Sequence, residues 1–271
     1  MSKYLIKGAS LYGEKVADIL IEDGVISRIA ENIDAADAQV VEAAGQVALP
    51  GLVDIHTHLR QPGYEASETV ETGTRAAALG GYTAVFAMAN SLPVADTAAV
   101  VEQVDRLGKE SAWCRVQPIG AVTVGLKGER LSDIGGMANS TANVRVFSDD
   151  GMCVYDPAVM RRALEYVKTF DGVIAQHAQE PRLTEGAQMN EGKVSADLGL
   201  AGWPAVAEEA IIARDVLLAE HLNSKLHICH LSTKGSIEVV RWAKSRGVKV
   251  TAEATPHHLL LTDETARTYD P

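Results

Sequence analysis

The sequence predicts an α/β fold: a (β/α)8 TIM-type barrel, truncated after its seventh strand, behind a small N-terminal β-module. Three observations predict it. From residue 52 onward, near-continuous apolar runs alternate with amphipathic helical stretches, the pattern of a parallel sheet covered on its outer face. The first strand-to-helix turn reads HTHLRQPG and has no GxGxxG phosphate loop, which argues against a doubly wound dinucleotide fold. Ionisable residues collect at the C-terminal ends of the apolar runs, where the chemistry of an α/β barrel sits.

Residues 1–51 form the β-module. KYLIKGASLY, VADILIEDGVISRIA and QVVEAAGQVALP are short β-rich runs separated by glycine-containing turns. Glu22-Asp23-Gly24 predicts a tight hairpin, because glycine accepts positive φ and aspartate tolerates turn geometry. Residues 52–271 form the barrel. Its strand candidates are LVDIHTH, TAVFAMAN, RVQPIGAVT, NVRVFSDDG, GVIAQHA, KLHICHLS and VKVTAEAT. Helices are expected over 67–81 with Ser67 as cap, over 96–110 with Asp96 as cap, and over 156–170. The last has Asp156 at the N-cap and Pro157 at the first helical position, proline's preferred place. Residues 204–222 and 235–247 also carry apolar side chains at helical spacing. No eighth strand is found before Pro271.

The bulk numbers narrow the function classes. The chain has 271 residues, 46% hydrophobic and 23% charged, enough for a large core. A net charge of −11 without any Lys/Arg-rich run argues against a nucleic-acid partner. Cys114, Cys153 and Cys229 are scattered and form no CxxC pair. That argues against a disulfide framework or thiolate zinc site and fits a reducing cytoplasm. The N-terminus lacks the apolar core of a signal peptide, and no run approaches the roughly 18 apolar residues of a membrane span.

The strand ends carry the chemistry. Strand 1 ends in His56 and His58, strand 4 in Asp149 and Asp150, strand 5 in His177 and strand 6 in His230. Residues i and i+2 of a strand share a face, so His56 and His58 can reach one ion. Neutral imidazole is a zinc ligand, and a bridging carboxylate can hold two ions roughly 3.5–4 Å apart. One such residue alone is more often a structural hydrogen bonder; the set at one end of the barrel points to metal. Periodicity does not choose between Asp149 and Asp150, because a bend at the strand end breaks the alternation. Arg60 can lean into the same mouth, where a guanidinium fork suits a carboxylate, and Asn90 can supply an amide. His227 lies three residues before His230, so alternation puts it on the other face, as a structural residue. His257 and His258 either line the mouth or cap a loop, and His221 sits at a helix C-terminus.

A β-rich module leading through LPGLVDIHTH into a barrel resembles the amidohydrolase superfamily of cyclic amidases. HTHLRQPG with its Arg60, FSDDG, MNEGKVSADLGLAGWPAVAEE, LHICHLST and TPHHLLLTDE resemble the bacterial type I dihydroorotase family, from about residue 3 to the end. The resemblance implies His56, His58, Asp150, His177 and His230 as metal ligands, with Asp150 where many relatives carry a carboxylated lysine. It implies Arg60 and Asn90 as holders of the substrate carboxylate, although Ala89 and Ser91 stand where relatives tend to have Pro and Thr. The implied cofactor is Zn2+, one or two ions. The implied reaction is the reversible cyclisation of N-carbamoyl-L-aspartate to L-dihydroorotate plus water in de novo pyrimidine (UMP) synthesis, by metal-activated hydroxide. The family's acid/base aspartate follows strand 8, so it is expected beyond Pro271, and the chain to that point lacks its proton shuttle. A cytoplasmic homodimer, associated with aspartate transcarbamoylase, is the implied assembly. Two alternatives stand beside this reading: a hydantoinase- or allantoinase-like amidase, whose members share the HxH but usually lack the arginine, and a non-catalytic partner subunit of aspartate transcarbamoylase.

Overall fold

The computed structural model describes residues 2–268; Pro271, the predicted end of the barrel, lies outside the described residues. The chain divides into two compact units, one up to Leu52 and one from Val53.

The first unit is a five-stranded sheet. It holds β1 (Lys3–Leu11), β2 (Lys15–Glu22), β3 (Val25–Ala30), β4 (Gln39–Glu42) and β5 (Val47–Ala48), with spatial order β3-β2-β1-β4 and β5 also paired to β1. Asp23 (φ 51°) and Gly24 (φ 80°) form the expected turn; two positive φ values in a two-residue loop match the strands' twist. Leu5, Leu20 and Ile33 make a small core. Beside them Asp18 is buried, accepting backbone N–H bonds from Gly8 (2.9 Å) and Ile33 (3.0 Å). The Ile33 and Gly8 amides hold its carboxyl below the usual carboxylate range.

The second unit alternates strands and helices. In chain order it holds β6 (Leu52–Thr57), α1 (Val70–Leu79), β7 (Tyr82–Ala87), α2 (Ala98–Ser111), β8 (Arg115–Pro118), α3 (Ile134–Asn139), β9 (Val146–Phe147) and α4 (Pro157–Val167). Next come β10 (Val173–Gln176), β11 (Met189–Asn190), α5 (Lys193–Leu198), β12 (Gly202–Trp203) and α6 (Val206–Leu222). It closes with β13 (Leu226–Ile228), α7 (Lys234–Ser245), β14 (Val250–Ala252) and α8 (Pro256–Leu260). Two sheets, β6-β7-β8 and β9-β10-β13-β14, are linked by a parallel bridge between Gly120 and Phe147. Seven strands therefore follow one another in chain order along one wall, and β11 and β12 form a separate ribbon.

Strand alternation divides the side chains of this wall. Ile174, Leu226 and Ile228 point to the helices, packing with Met160, Leu164, Ile212 and Val216 in the main core. Ala175 and Cys229 point the other way, into an inner cluster with Met88 and Ile119. The Asp156 carboxylate accepts from Ala158 N (2.7 Å) and Val159 N (3.1 Å), with Pro157 opening α4 as expected.

Two other caps differ from expectation. Thr69, not Ser67, caps α1 through a reciprocal box with Thr72, because the helix begins at Val70 and residues 64–67 form a preceding turn closed by Ser67 N to Tyr64 O (2.9 Å). Thr97, not Asp96, stands at the N-cap of α2, because the Asp96 carboxylate accepts from Gly125 N (2.9 Å) in another loop. No helix among the described residues is long and apolar enough to cross a membrane.

Candidate metal centre

Four loops bring the site together. At the end of β6, His56 and His58 lie two residues apart and both reach the Asp150 carboxylate: His56 Nε2 is 3.5 Å from Oδ1 and His58 Nε2 is 3.3 Å from Oδ2. After β10, His177 Nδ1 is 3.3 Å from Asp150 Oδ1, and after β13, His230 Nε2 is 3.1 Å from the same oxygen. The structure thus gathers all five predicted ligand residues around one carboxylate.

The two neighbouring aspartates have different surroundings. Asp149 turns back into the fold, where Oδ1 accepts from Val122 N (2.7 Å) and Thr123 N (2.9 Å) and Oδ2 takes the Thr123 hydroxyl. Burial still pushes its carboxyl up to about 6, against those Thr123 and Val122 bonds. Asp150 faces the rings. Burial opposes its charge, yet His177, His230 and His56 hold its carboxyl well below the usual range.

The donor set fits a divalent metal. Three of the four rings face an acceptor on their outer side, which leaves the inner nitrogen for the centre. His58 Nδ1–H donates to Asn90 Oδ1 (2.9 Å), His177 Nε2–H to Gln179 Oε1 (2.7 Å) and His56 Nδ1–H to Glu253 Oε1 (2.5 Å). The inner nitrogens of His177 and His230 are left only 3.0 Å apart. That spacing suits one shared proton, and ligand atoms of a tetrahedral zinc stand roughly that close, given bonds near 2.0–2.1 Å. His56, Asp150 and His230 offer ligand atoms all within 4.8 Å of one another.

The His230 geometry changes the strand face expected for His227, while its place as a structural residue is kept by its bond to Thr251. β13 ends at Ile228, and His230 adopts φ 32°, so its ring leaves the strand's alternation. His227 shares the inner face with Cys229, and its Nε2 stands 3.3 Å from Glu253 Oε2. Glu208, buried on α6, supports the His230 loop by accepting from Ser232 N (3.0 Å) and Thr233 N (3.1 Å). His258 bonds Ser232 Oγ (3.1 Å) and Thr255 Oγ1 (3.0 Å), so it ties loops together. With His257 it also lines a cavity of about 780 Å3 that reaches His177 and His230.

Arg60 and Asn90 meet because their loops dock. Leu92 N donates to Pro62 O (2.9 Å), and Gly63 at φ 101° packs so tightly that an added Cβ would lie 2.3 Å from the Leu92 carbonyl oxygen. Arg60, Asn90, Tyr64, Asp150 and Gly151 then line a second cavity of about 370 Å3. Among the described residues no carboxylate pairs with the Arg60 guanidinium. Ser91 holds its own loop through a bond to Pro93 O (2.9 Å), and Ala89 is buried in the core.

Sequence reasoning missed Glu253, Glu208 and Gln179. Glu253 had a signal: a carboxylate at the end of the seventh apolar run. Gln179 also had one, lying two residues after His177; Glu208 had none, since it acts on a loop distant in sequence.

A dihydro-orotase-like family model matches residues 45–236. A dihydroorotase from Streptomyces coelicolor is 70% identical over 100% of this chain and 63% of its own length. One from Mycobacterium tuberculosis is 54% identical, over 98% of this chain and 62% of its own. Among solved structures, an L-hydantoinase from Arthrobacter aurescens superposes with TM-score 0.81 at 21% identity, covering 98% of this chain and 61% of that one. The chain thus spans about three fifths of the length of the relatives it matches, and at this identity the hydantoinase likeness speaks for the α/β barrel fold alone. Taken with the gathering of histidines and aspartate at the strand ends, the family match leads to one conclusion: the chain belongs to the dihydro-orotase-like family.

Proposed function

We propose that the full-length protein is a dihydroorotase, interconverting N-carbamoyl-L-aspartate and L-dihydroorotate plus water. The observation that carries this reading is the Arg60 guanidinium, with no carboxylate partner among the described residues, beside Asn90 in the cavity that reaches Asp150. His56, His58, Asp150, His177 and His230 would hold the metal, with zinc as the ion. A metal there activates water and polarises the carbonyl under attack.

The chain's own residues do the rest. Arg60 offers two parallel N–H donors to the substrate carboxylate, which sets the ring's orientation over the metal centre. Asn90 spends its carbonyl on His58, so its amide N–H groups remain to meet the same carboxylate. The rings' outer partners fix their tautomers. The proton shuttle is assigned to an aspartate after an eighth strand of the full-length protein, with the residues up to 51 serving as its β-module. A cytoplasmic homodimer, working beside aspartate transcarbamoylase, is the assembly that goes with this reading.

The test is Arg60→Ala in the full-length protein. Losing a charge-assisted pair should raise KM for dihydroorotate roughly 10- to 100-fold. Hydrolysis of an uncharged hydantoin ring should be unchanged. Equal loss on both rings, or none on dihydroorotate, would sink the assignment.

A further inference from the structure

Behind the metal centre lies a line of polar groups, with His227 buried and Glu253 half-buried, that the proposed reaction does not use directly. Glu253 follows β14, and its backbone is tied to the neighbouring strand: Glu253 N donates to Ile228 O (3.1 Å) and Leu231 N to Glu253 O (2.8 Å). Its side chain reaches across the gap between the last strand and the first. Oε1 lies 2.5 Å from His56 Nδ1 and accepts from His230 N (3.3 Å). Oε2 faces His227 Nε2 at 3.3 Å, and His227 Nδ1 is 2.8 Å from Thr251 Oγ1. That His227 Nε2 is buried and has no aligned hydrogen-bond partner among the described residues, so Glu253 is the acceptor it faces.

We propose that Glu253 is a positioning residue for the metal centre: it takes the Nδ1–H of His56, fixes the tautomer that frees Nε2, and is braced from behind by His227. This inference rests on the metal-centre part of the reading above and not on the substrate. The reasoning is chemical. An imidazole can present either nitrogen, and only an acceptor on one side commits the other as a lone pair. A carboxylate does this more strongly than a carbonyl, and it raises the ligand's basicity. Glu253 also holds the His230 backbone at the residue with φ 32°, so one side chain orients ligands from two strands 174 residues apart in sequence. His58 and His177 have only the amide oxygens of Asn90 and Gln179 in the matching place, so the charged partner is particular to His56.

The test is metal affinity in the full-length protein, read without substrate. Co2+ uptake is followed by its visible spectrum, and Zn2+ binding by competition with a chelator. Glu253→Gln keeps the size but cannot match a carboxylate as acceptor; Glu253→Asp keeps the charge but loses the reach. Each should weaken Kd roughly 10- to 100-fold. The metal stoichiometry and the melting temperature of the metal-free protein should hold.

A Kd within twofold of wild type in either folded variant overturns the proposal. So does the loss of one whole ion with the other's affinity unchanged, since that makes Glu253 a direct ligand beside His56 and Cys229. If Glu253→Gln fails to fold, Glu253→Asp decides. Wild-type protein that takes up no Co2+ overturns this inference together with the metal centre. Wild-type protein that binds Co2+ but does not turn over dihydroorotate overturns the substrate assignment alone.

Discussion

Gln176 and His177 are neighbours in the chain, yet they belong to two buried polar clusters of opposite kind. Gln176 points outward from β10. Its amide bonds both polar groups of the Val154 backbone at 3.2 Å and donates to Asp215 Oδ2 (2.9 Å). Asp215 pairs with Arg214 (2.7 Å), and Arg214 also reaches the carbonyls of Val154 and Tyr155. Donors meet acceptors throughout this cluster, so it needs nothing from outside. Burial nonetheless pushes the Asp215 carboxyl up to about 6, against Arg214 and Gln176, which marks the cost of keeping a charge there.

His177 points inward, to a cluster in which four imidazoles converge on the Asp150 carboxylate. That arrangement offers several ligand atoms to one cation. Buried polar groups occur in both clusters; the convergence of imidazoles on one carboxylate is what separates a ligand site from a strut.

The sharpest way to break this distinction is to alter the carboxylate at the centre of the inner cluster. In the full-length protein, Asp150→Asn should abolish metal uptake and, on the proposed reading, lower kcat/KM for dihydroorotate roughly a thousandfold or more, as expected when several kcal/mol of metal assistance are lost. Circular dichroism should find the fold intact; a variant that keeps its metal would erase the distinction.

The outer cluster should answer in the opposite way. Asp215→Ala strands Gln176 and part of Arg214 and should cost about 3 kcal/mol of stability in chemical denaturation. The metal affinity of the protein that stays folded should not change.

The smallest expected effect lies in the first unit, where Asp18 is a strut held chiefly by two backbone amides. Its folded pKa lies below its unfolded value, so its contribution is present above the ordinary carboxylate pKa. That contribution is lost as pH falls through the lowered one. Protection of the Gly8 and Ile33 amides, measured relative to their intrinsic exchange rates, should therefore fall in acid in the wild type, and Asp18→Asn should remove that pH dependence.

Much of this architecture was legible in residue order. The apolar runs and helical spacing pointed to the parallel wall, and Asp156-Pro157 and Asp23-Gly24 marked a helix start and a hairpin, because each acts on its immediate neighbours. The four histidines were legible as strand-end residues. Ser67 and Asp96 misled, because each backbone or side-chain group was claimed by a loop far along the chain or by an earlier turn. For His227 the structural role was legible but its face was not, because alternation was carried past the end of β13, where the backbone had already turned at His230.

The sequence by itself determined which chemistries were on offer: imidazoles two apart on a strand, carboxylates and a guanidinium at the same end, and no basic surface. Only the tertiary structure decided which groups meet. It turned Asp150 rather than Asp149 to the rings, set Arg60 beside Asn90 by docking two loops, and brought Glu253 to His56 across 197 residues. The reason is physical. Local rules such as caps, turns and alternation act over a few residues and can be read in order. A bent strand end, a docked loop or a donor's choice of acceptor is set by packing between segments that the chain order does not place side by side.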